Sequence, residues 1–317
     1  MSAQPRIGWV GTGLMGYPMC EHLLKAGFHL TVFNRTKSKT DGLIKLGAEW
    51  ADNPRSVAEK SDIICTMVGF PQDVRDTILN PETGVLAGCQ PNKKQIICDF
   101  TTSTPSLAEE IETQSLIKGV RSLDCPVSGG DIGAKQAKLT IMAGGDQSAY
   151  DEVSKLIFPV VGAVWNHMGN AGTGQHTKGV NQVMIAGTMI GICEGLVYAA
   201  KTQKLDLNQV IAAVSGGSAG SAVLRTFGPR QLEHDFSAGF FVKHFYKDLG
   251  IVIEESKRMG IQLAGLELVH RLYTKLRAMK ITHKGSAEAQ IGDELGHHAL
   301  IAVLEEEAGV DVSVKKK

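Results

Sequence analysis

The first half of the chain alternates short apolar runs with stretches of helical character. The apolar runs, most of them containing β-branched residues, predict buried strands at 7–10, 30–33, 62–67, 95–98, 122–125 and 139–143. Stretches such as 15–26 and 106–117 predict helices between them. Strands that are apolar along their whole length and separated by helices are typical of a parallel sheet covered on both faces.

The pattern changes after about Gly174. From there the segments 175–202, 206–214, 240–258, 264–280 and 295–307 predict helices, with few strand signals. The glycine-rich stretch at 169–174 marks the expected domain boundary. We therefore predict an α/β domain over residues 1–168 and an all-α domain over residues 169–317, joined by a long helix at about 175–202.

The composition excludes several classes of partner. Lys+Arg and Asp+Glu balance at 33 each, so no charge excess favours nucleic acid or a membrane surface. The six cysteines include no Cys-x-x-Cys pair and predict reduced core thiols in a cytoplasmic protein, without a disulfide framework or a metal site. The apolar stretch at 183–200 contains Glu194 and several glycines, which favours a buried helix over a membrane span.

A Gly-x-Gly-x-x-Gly sequence stands between the first strand and the first helix. Gly11 permits a tight turn, Gly13 lets the backbone approach a pyrophosphate, and Gly16 allows close packing of helix on strand. Its position at the start of a strand–helix–strand unit makes the signal specific. The predicted phosphate-binding residues are Gly11, Thr12, Gly13, Leu14, Met15 and Gly16.

The end of the second strand indicates which dinucleotide is bound. NAD sites usually carry an acidic residue there, whereas this chain has Asn34, Arg35 and Thr36. Arg35 can bind a 2′-phosphate and stack on adenine, so NADP(H) is preferred over NAD(H). A solvated basic turn is the alternative.

The ends of the next two strands are expected to border the same site. Met67, Val68 and Thr102 are expected to face the cofactor. The hydroxyls of Thr101 and Ser103 could equally serve as helix caps.

A lysine lies at the start of the long apolar helix. Lys178, Asn181 and Gln182 lie three and four residues apart on one face, and the eleven residues 183–193 carry no charge. A desolvated lysine can exchange protons near neutral pH. The alternative is a lysine that extends to the surface from a core helix.

A candidate carboxylate-binding loop lies earlier in the chain. The backbone N–H groups and hydroxyl of Ser128, Gly129 and Gly130 suit a carboxylate, although a plain turn would have the same composition.

Together these motifs resemble the β-hydroxyacid dehydrogenase family over almost the whole chain. The resemblance rests on the Gly11–Gly16 segment, on Asp124-Cys-Pro-Val-Ser-Gly-Gly130, on the Lys178 segment and on 240–249. It implies a doubly wound, mainly parallel Rossmann domain, a long interdomain helix, an all-helical second domain and an active site in the cleft between the domains. It also implies that Lys178 is the catalytic lysine, that Ser128, Gly129 and Gly130 hold the substrate carboxylate, and that Lys247 lies near the nicotinamide.

Many members of the family have Asn-Asn where this chain has Asn181 and Gln182, and some, including those acting on tartronate semialdehyde, share the Asn-Gln form. Gln182 is therefore a departure that bears on substrate choice. The expected reaction is hydride transfer between NADP(H) and a small 3-hydroxy acid or its semialdehyde. Lys178 would act as general acid and base, Asn181 would hold its head group or the substrate, and Gln182 would contact the substrate. An imine reductase and a non-catalytic NADP-binding scaffold are the alternatives. A homodimer or homotetramer is expected from the family likeness and the long apolar helix.

Overall fold

The computed structural model describes residues 4–90 and 93–314. Contacts divide the chain into two compact units, Met1–Lys178 and Gly179–Lys317. The division falls inside one long helix, later in the chain than the glycine-rich stretch at 169–174. Each unit has its own hydrophobic core.

One sheet of nine strands organises the first unit. The order of the strands is β3-β2-β1-β4-β5-β6-β8-β7, and β9 pairs with β8. Strands β1 to β6 are parallel, β8 runs antiparallel to β6 and β7, and β9 is parallel to β8. This is the doubly wound dinucleotide-binding order, in which the direction of winding reverses between β1 and β4. The strands are Ile7–Val10 (β1), Leu30–Phe33 (β2), Glu49–Trp50 (β3), Ile63–Thr66 (β4), Ile96–Asp99 (β5), Arg121–Asp124 (β6), Val127–Ser128 (β7), Leu139–Gly145 (β8) and Gly162–Gly169 (β9).

Side chains along the central strands alternate between the two faces of this sheet. On β4, Ile63 and Cys65 belong to one core cluster, whereas Ile64 belongs to the cluster on the other face. Both faces are covered by helices, which confirms the predicted fold class. The helices are Gly16–Lys25 (α1), Asp41–Lys45 (α2), Pro54–Glu59 (α3), Pro71–Leu79 (α4), Val85–Gly88 (α5), Pro105–Ile117 (α6), Gly130–Lys135 (α7), Gln147–Leu156 (α8) and Phe158–Val161 (α9).

The sequence pattern did not predict three strands of the first unit. Strands β3 and β7 have two residues each, too few to show a period. Strand β9 alternates half-buried and exposed residues and includes Asn166 and His167, so it does not form a continuous apolar run. The pattern detects strands that are buried on both faces, and these three are not.

The second unit is mainly helical. Its first helix, Thr173–Thr202 (α10), begins in the first unit, and a two-stranded antiparallel ribbon pairs Lys280–Ile281 (β10) with Gln290–Ile291 (β11). The other helices are Leu207–Ser215 (α11), Ala222–Leu232 (α12), Val242–Arg258 (α13), Ala264–Ala278 (α14) and Ile301–Ala308 (α15). Helix α12 was not predicted because it contains Pro229. The single helix predicted at 295–307 is a 3₁₀ turn, His297–Leu300, followed by α15.

Helix α10, with 30 residues, is the longest element in the described part of the chain. It is long and apolar enough to cross a membrane by length and composition alone, a test that buried core helices also pass. One face of it packs into the core of the second unit through Met189, Cys193 and Leu196. Its opposite face exposes large apolar side chains, with Met184 68% exposed and Tyr198 73% exposed.

All six cysteines are free and buried. Cys193 lies in the second unit and the other five in the first. Burial raises the pKa of the Cys89 thiol and of the Cys193 thiol to about 12. These two thiols are therefore protonated in the folded protein, as expected for core residues.

Candidate active site

The glycines of the first loop are fixed by steric contact. A Cβ atom on Gly16 would lie 2.0 Å from the carbonyl oxygen of Gly11, and one on Gly11 would lie 2.2 Å from that of Met67. Gly11 also has φ +97°, a conformation that favours glycine. Gly13 has no neighbouring atom within 4 Å of its Cβ position, so its backbone faces open space. This is the arrangement needed for close approach of a pyrophosphate to the loop.

Asn34 shapes this loop from the end of β2. Its side-chain oxygen accepts the N–H of Thr12 at 3.0 Å, and its side-chain nitrogen donates to the carbonyl of Thr36 at 2.9 Å. The Thr12 N–H is thus already bonded within the protein, while the side chain of Leu14 is exposed and that of Met15 is half-buried. Asn34 couples the phosphate loop to the Arg35 turn.

Arg35 points into solvent but has a partner that the sequence did not suggest. Its side chain is 81% exposed, and its Nη1 atom lies 3.0 Å from Oδ1 of Asp73 on α4. The other oxygen of Asp73 accepts the N–H of Phe70. We expected a subsite without a carboxylate because the residues after β2 have none. The fold brings one in from 38 residues further along the chain.

A hydrogen-bond chain joins the ends of β4 and β5. Asp99 accepts the hydroxyl of Thr66 at 2.7 Å and the N–H of Thr101 at 3.0 Å, and the Thr101 hydroxyl accepts the N–H of Val68 at 2.9 Å. Thr101 therefore ties the two strand ends together. The cap of α6 is Thr104, which accepts the N–H of Leu107, so neither Thr101 nor Ser103 is the cap.

Two residues beside this chain of hydrogen bonds, both expected to face the cofactor, are only partly buried. Met67 and Thr102 are half-buried at the carboxyl ends of β4 and β5. In open α/β sheets this edge, near the point where the winding reverses, is where ligands bind.

The predicted carboxylate-binding loop follows β7 and opens α7. Ser128 is half-buried and pairs with Thr140 of β8. Gly129 and Gly130 have φ +129° and +60°, and no atom lies within 4 Å of a Cβ on Gly130. Backbone conformation, and not crowding, is therefore the reason for glycine at position 130.

Helix α10 begins against the carboxyl edge of the sheet. Asp124, the last residue of β6, accepts the N–H of Gly172 at 2.9 Å and the N–H of Gln175 at 2.8 Å. The side chain of Gln175 donates to the carbonyl of Thr101 at 2.8 Å and accepts the N–H of Ser103 at 2.9 Å. Burial raises the pKa of Asp124 to about 7, against the opposing effect of its backbone hydrogen bonds.

Lys178 lies one turn beyond Gln175 on the same face of α10. It is 6% exposed, so the helix does not carry its ammonium group out to the surface in the way the alternative interpretation required. Gln175 is equally buried, at 4% exposed. A buried lysine thus lies one helical turn beyond a residue that is bonded to the segment after β5.

Each half of the chain matches a known family of protein domains. Residues 6–169 match the NAD-binding domain of 6-phosphogluconate dehydrogenase, and residues 172–304 match the NAD-binding domain of NADP-dependent 3-hydroxyisobutyrate dehydrogenase. A probable mitochondrial 3-hydroxyisobutyrate dehydrogenase-like protein of Arabidopsis thaliana is 50% identical over 86% of this chain and 80% of its own length. The chain belongs to the β-hydroxyacid dehydrogenase family.

Two further relatives of this β-hydroxyacid dehydrogenase extend the comparison. The 2-hydroxy-3-oxopropionate reductase of Escherichia coli is 31% identical over 95% of this chain and 97% of its own length. A solved 3-hydroxyisobutyrate dehydrogenase of Mycobacterium tuberculosis, described with L-serine, superposes with a TM-score of 0.81 at 26% identity, covering 95% of this chain and 99% of that one. The family, the loop geometry and the strand order together identify a nicotinamide-dinucleotide-binding oxidoreductase.

In this family member the remaining predicted residues lie in the second unit. Asn181 donates to the side-chain oxygen of Gln182 at 2.7 Å, and Gln182 donates to Oδ2 of Asp248 at 2.7 Å. Oδ1 of Asp248 lies 3.0 Å from the ammonium of Lys247. Gln182 was expected to contact the substrate, but the structure engages both ends of its amide within the protein. Asp248 was missed because its partner Gln182 lies 66 residues away in the sequence.

One group in the described part of the chain could hold a cation. His234, Glu305 and Asp311 bring their ligand atoms within 4.8 Å of one another in the second unit. His234 already pairs with Glu305 at 3.0 Å, and that hydrogen bond raises the pKa of the imidazole. The pair links the segment after α12 to α15.

Proposed function

We infer that the protein transfers a hydride between NADP(H) and a small 3-hydroxy acid or its semialdehyde, with Lys178 as general acid and base. The observation that carries this proposal is the buried lysine on the first turns of α10. Its helix is bonded at its start to Asp124, at the edge of the sheet that also carries the phosphate loop. The β-hydroxyacid dehydrogenase relatives support the same reaction class.

The residues of the first unit fit a dinucleotide. Gly13 leaves open space where the backbone would meet a pyrophosphate, and the contacts of Gly11 and Gly16 hold the loop against β4 and α1. The N-terminus of α1 adds a partial positive charge toward phosphate. When bound, the nicotinamide supplies or accepts the hydride.

Lys178 would supply the proton. In the reducing direction its ammonium group donates a proton to the substrate oxygen as that oxygen gains negative charge, and in the oxidising direction its amine accepts the proton from the hydroxyl. Burial strengthens this interaction, because charge on the oxygen is stabilised more strongly where water is excluded. We propose that Ser128 and the backbone of Gly129 and Gly130 bind the substrate carboxylate, and that Asn181 orients the reacting groups.

NADP(H) is the proposed cofactor in preference to NAD(H). Arg35 is exposed at the end of β2 and can reach a phosphate on the adenine ribose. Lys37 lies over the ring of Trp50 beside it, at 4.9 Å, and adds a second positive charge. The family model matched by the second half describes an NADP-dependent enzyme, which supports the same choice.

The test is nucleotide oxidation by the purified protein with a panel of aldehydes. The panel contains carboxylate-bearing semialdehydes, one aldehyde without a carboxylate and one cyclic imine, each with NADPH and with NADH. We expect turnover only of carboxylate-bearing aldehydes and faster turnover with NADPH. Consumption of the imine alone would indicate an imine reductase. Tight NADPH binding with no turnover of any compound would indicate a non-catalytic scaffold.

Lys178→Ala is the decisive variant. Loss of a general acid typically lowers the rate by about 10²–10⁴-fold. We expect that loss in kcat, with NADPH affinity unchanged because Lys178 lies outside the phosphate loop. Lys201→Ala is the control, since Lys201 is an exposed lysine near the other end of the same helix. Equal turnover by the Lys178→Ala variant and the control would refute the proposal.

We further propose that the protein is a cytoplasmic homodimer or homotetramer assembled through the exposed face of α10. Met184 and Tyr198 expose large apolar surfaces there, and Gly187, Gly191 and Gly195 are exposed between them with no atom within 4 Å of their Cβ positions. A second copy of the same face would cover these apolar side chains and could approach closely along the glycines.

A further inference from the structure

Asp124 is a buried carboxylate that the proposed chemistry does not use. It is 4% exposed, and each of its two oxygens accepts one backbone N–H from the start of α10. The first N–H groups of a helix have no partner within the helix, so a carboxylate there satisfies them and interacts favourably with the helix dipole. The last residue of β6 is thus bonded directly to the helix that carries Lys178.

The packing around this carboxylate admits no side chain. A Cβ atom on Gly144 of β8 would lie 2.6 Å from Oδ1 of Asp124. One on Gly174 of α10 would lie 2.5 Å from the Asp124 carbonyl and 2.7 Å from Oδ2. Glycine at these two positions lets the strand and the helix close onto Asp124 from both sides, so the helix start has little freedom to shift.

Gln175 provides a second and separate attachment. Its amide bonds in both directions to the segment after β5, through the carbonyl of Thr101 and the N–H of Ser103. Thr101 also holds the strand ends beside the nucleotide loop, through Val68 and Asp99. The first turn of α10 is therefore fixed to β5 by Gln175 and to β6 by Asp124.

We propose that Asp124 and Gln175 are positioning residues that hold the first turn of α10 so that Lys178 is placed at the reacting oxygen. This rests on the proposed role of Lys178. Gln175 and Lys178 are three residues apart on one helix face, so a displacement of the first turn moves the lysine with it. A misplacement of about 1 Å can cost a reaction about 10²-fold.

The first test is Asp124→Asn, which keeps the shape of the side chain but turns an N–H donor toward one of the two helix N–H groups. We expect kcat to fall by about 10- to 100-fold, while the affinity for NADPH changes less than about twofold. Asp146→Asn is the matched control. Asp146 caps α8 in the same unit by accepting the N–H of Ala149 at 2.7 Å, and it does not lead to Lys178. Its loss should lower stability and leave kcat unchanged.

The deciding measurement repeats the change in a Lys178→Ala background. A residue that acts only by positioning Lys178 has nothing to position there, so Asp124→Asn should lower the residual rate less than about twofold. An equal fold-loss in both backgrounds would show a role independent of Lys178 and would overturn the inference. Full turnover by the Lys178→Ala protein would instead refute the proposed function. Failure of the positioning inference and failure of the proposed function are therefore distinguishable.

Gln175→Glu keeps the inference testable if Asp124→Asn does not fold. Glutamate retains the acceptor for the Ser103 N–H and loses the donor to the Thr101 carbonyl, and Gln175→Ala loses both. We expect kcat to decrease in the order wild type, Gln175→Glu, Gln175→Ala, with the differences again absent in the Lys178→Ala background. Equal kcat for the folded Gln175 variants and wild type would remove Gln175 from the positioning role.

Discussion

The guanidinium of Arg35, just after β2, and the carboxylate of Asp73, on α4, form an ion pair. They lie 3.0 Å apart, and Asp73 is held in place by its second bond to the N–H of Phe70. A phosphate on the adenine ribose would have to share Arg35 with this carboxylate. We therefore propose that Asp73 opposes the binding of NADP(H) that Arg35 would favour.

We expect Asp73→Asn to strengthen NADPH binding. The change removes a negative charge near the 2′-phosphate and releases Arg35 from a pair of the kind that contributes about 1 kcal/mol or less at a surface. The KM for NADPH should fall by about two- to fivefold and that for NADH should change less. Glu59→Gln, which breaks the exposed Arg55–Glu59 pair, is the control. A higher KM for NADPH would show instead that Asp73 orients Arg35 for the phosphate.

Asp124 makes the stability of the first unit depend on pH. Its pKa in the folded state, about 7, lies above its ordinary value of 3.8, because burial disfavours the charged form. Between these values the folded protein binds more protons than the unfolded chain, so stability falls as pH rises from about 4 to about 7. Asp99, paired in register at the end of β5, adds to the effect, and the N–H groups of Gly172 and Gln175 oppose it.

The loss of unfolding free energy over that range is on the order of 2–4 kcal/mol. Urea unfolding followed by tryptophan fluorescence measures it, because Trp9, Trp50 and Trp165 all lie in the first unit. Asp124→Asn, which cannot ionise, should flatten this part of the pH profile. An unchanged slope in that variant would assign the dependence to other groups.

Asp248 is expected to be the most sensitive polar position of the second unit. Asp248→Ala leaves the buried amide of Gln182 and the ammonium of Lys247 without their carboxylate, a loss of about 3–5 kcal/mol in unfolding free energy. Asp248→Asn, which still accepts from Gln182, should lose less. Glu294→Ala breaks the exposed Lys243–Glu294 pair and serves as control, with a loss below about 1 kcal/mol. Far-ultraviolet circular dichroism follows the unfolding, and equal losses for Asp248→Ala and the control would contradict the expectation.

We expect a charge introduced on the exposed face of α10 to prevent assembly. Met184→Glu places a carboxylate on this face, and burying it against a second copy would be costly. Sedimentation velocity should show a dimer or tetramer for wild type and a monomer for the variant. Ile117→Glu, at an apolar residue of α6 that is 76% exposed, should leave the assembly intact. A monomeric wild type that sediments with lipid vesicles would identify a membrane as the partner of this face.

The fold was predictable because its strongest signals are steric and local. Strands β1, β4 and β5 are buried on both faces and read as continuous apolar runs. The spacing of Gly11 and Gly16 reflects contacts of about 2 Å that no other residue tolerates. Strand β9 was missed because half of its residues are exposed and polar residues interrupt it.

The polar partnerships were not predictable in the same way. Asp73 meets Arg35 and Asp248 meets Gln182 only after folding, across 38 and 66 residues of sequence. A signal for Asp99 and Asp124 did exist, since both end neighbouring parallel strands at the ligand-binding edge. Gln175 carried no such signal, because a glutamine in the first turn of a helix is ordinary.

The buried cysteines allow local opening of each unit to be measured by thiol labelling. A maleimide or disulfide reagent cannot reach a thiol without a fluctuation that exposes it, so the rate of labelling measures the frequency of that fluctuation. Cys193 reports the second unit alone, and Cys20, Cys65, Cys89, Cys98 and Cys125 report the first. Mass spectrometry of partially labelled protein would thus resolve whether the two units open together or separately, without the introduction of any probe.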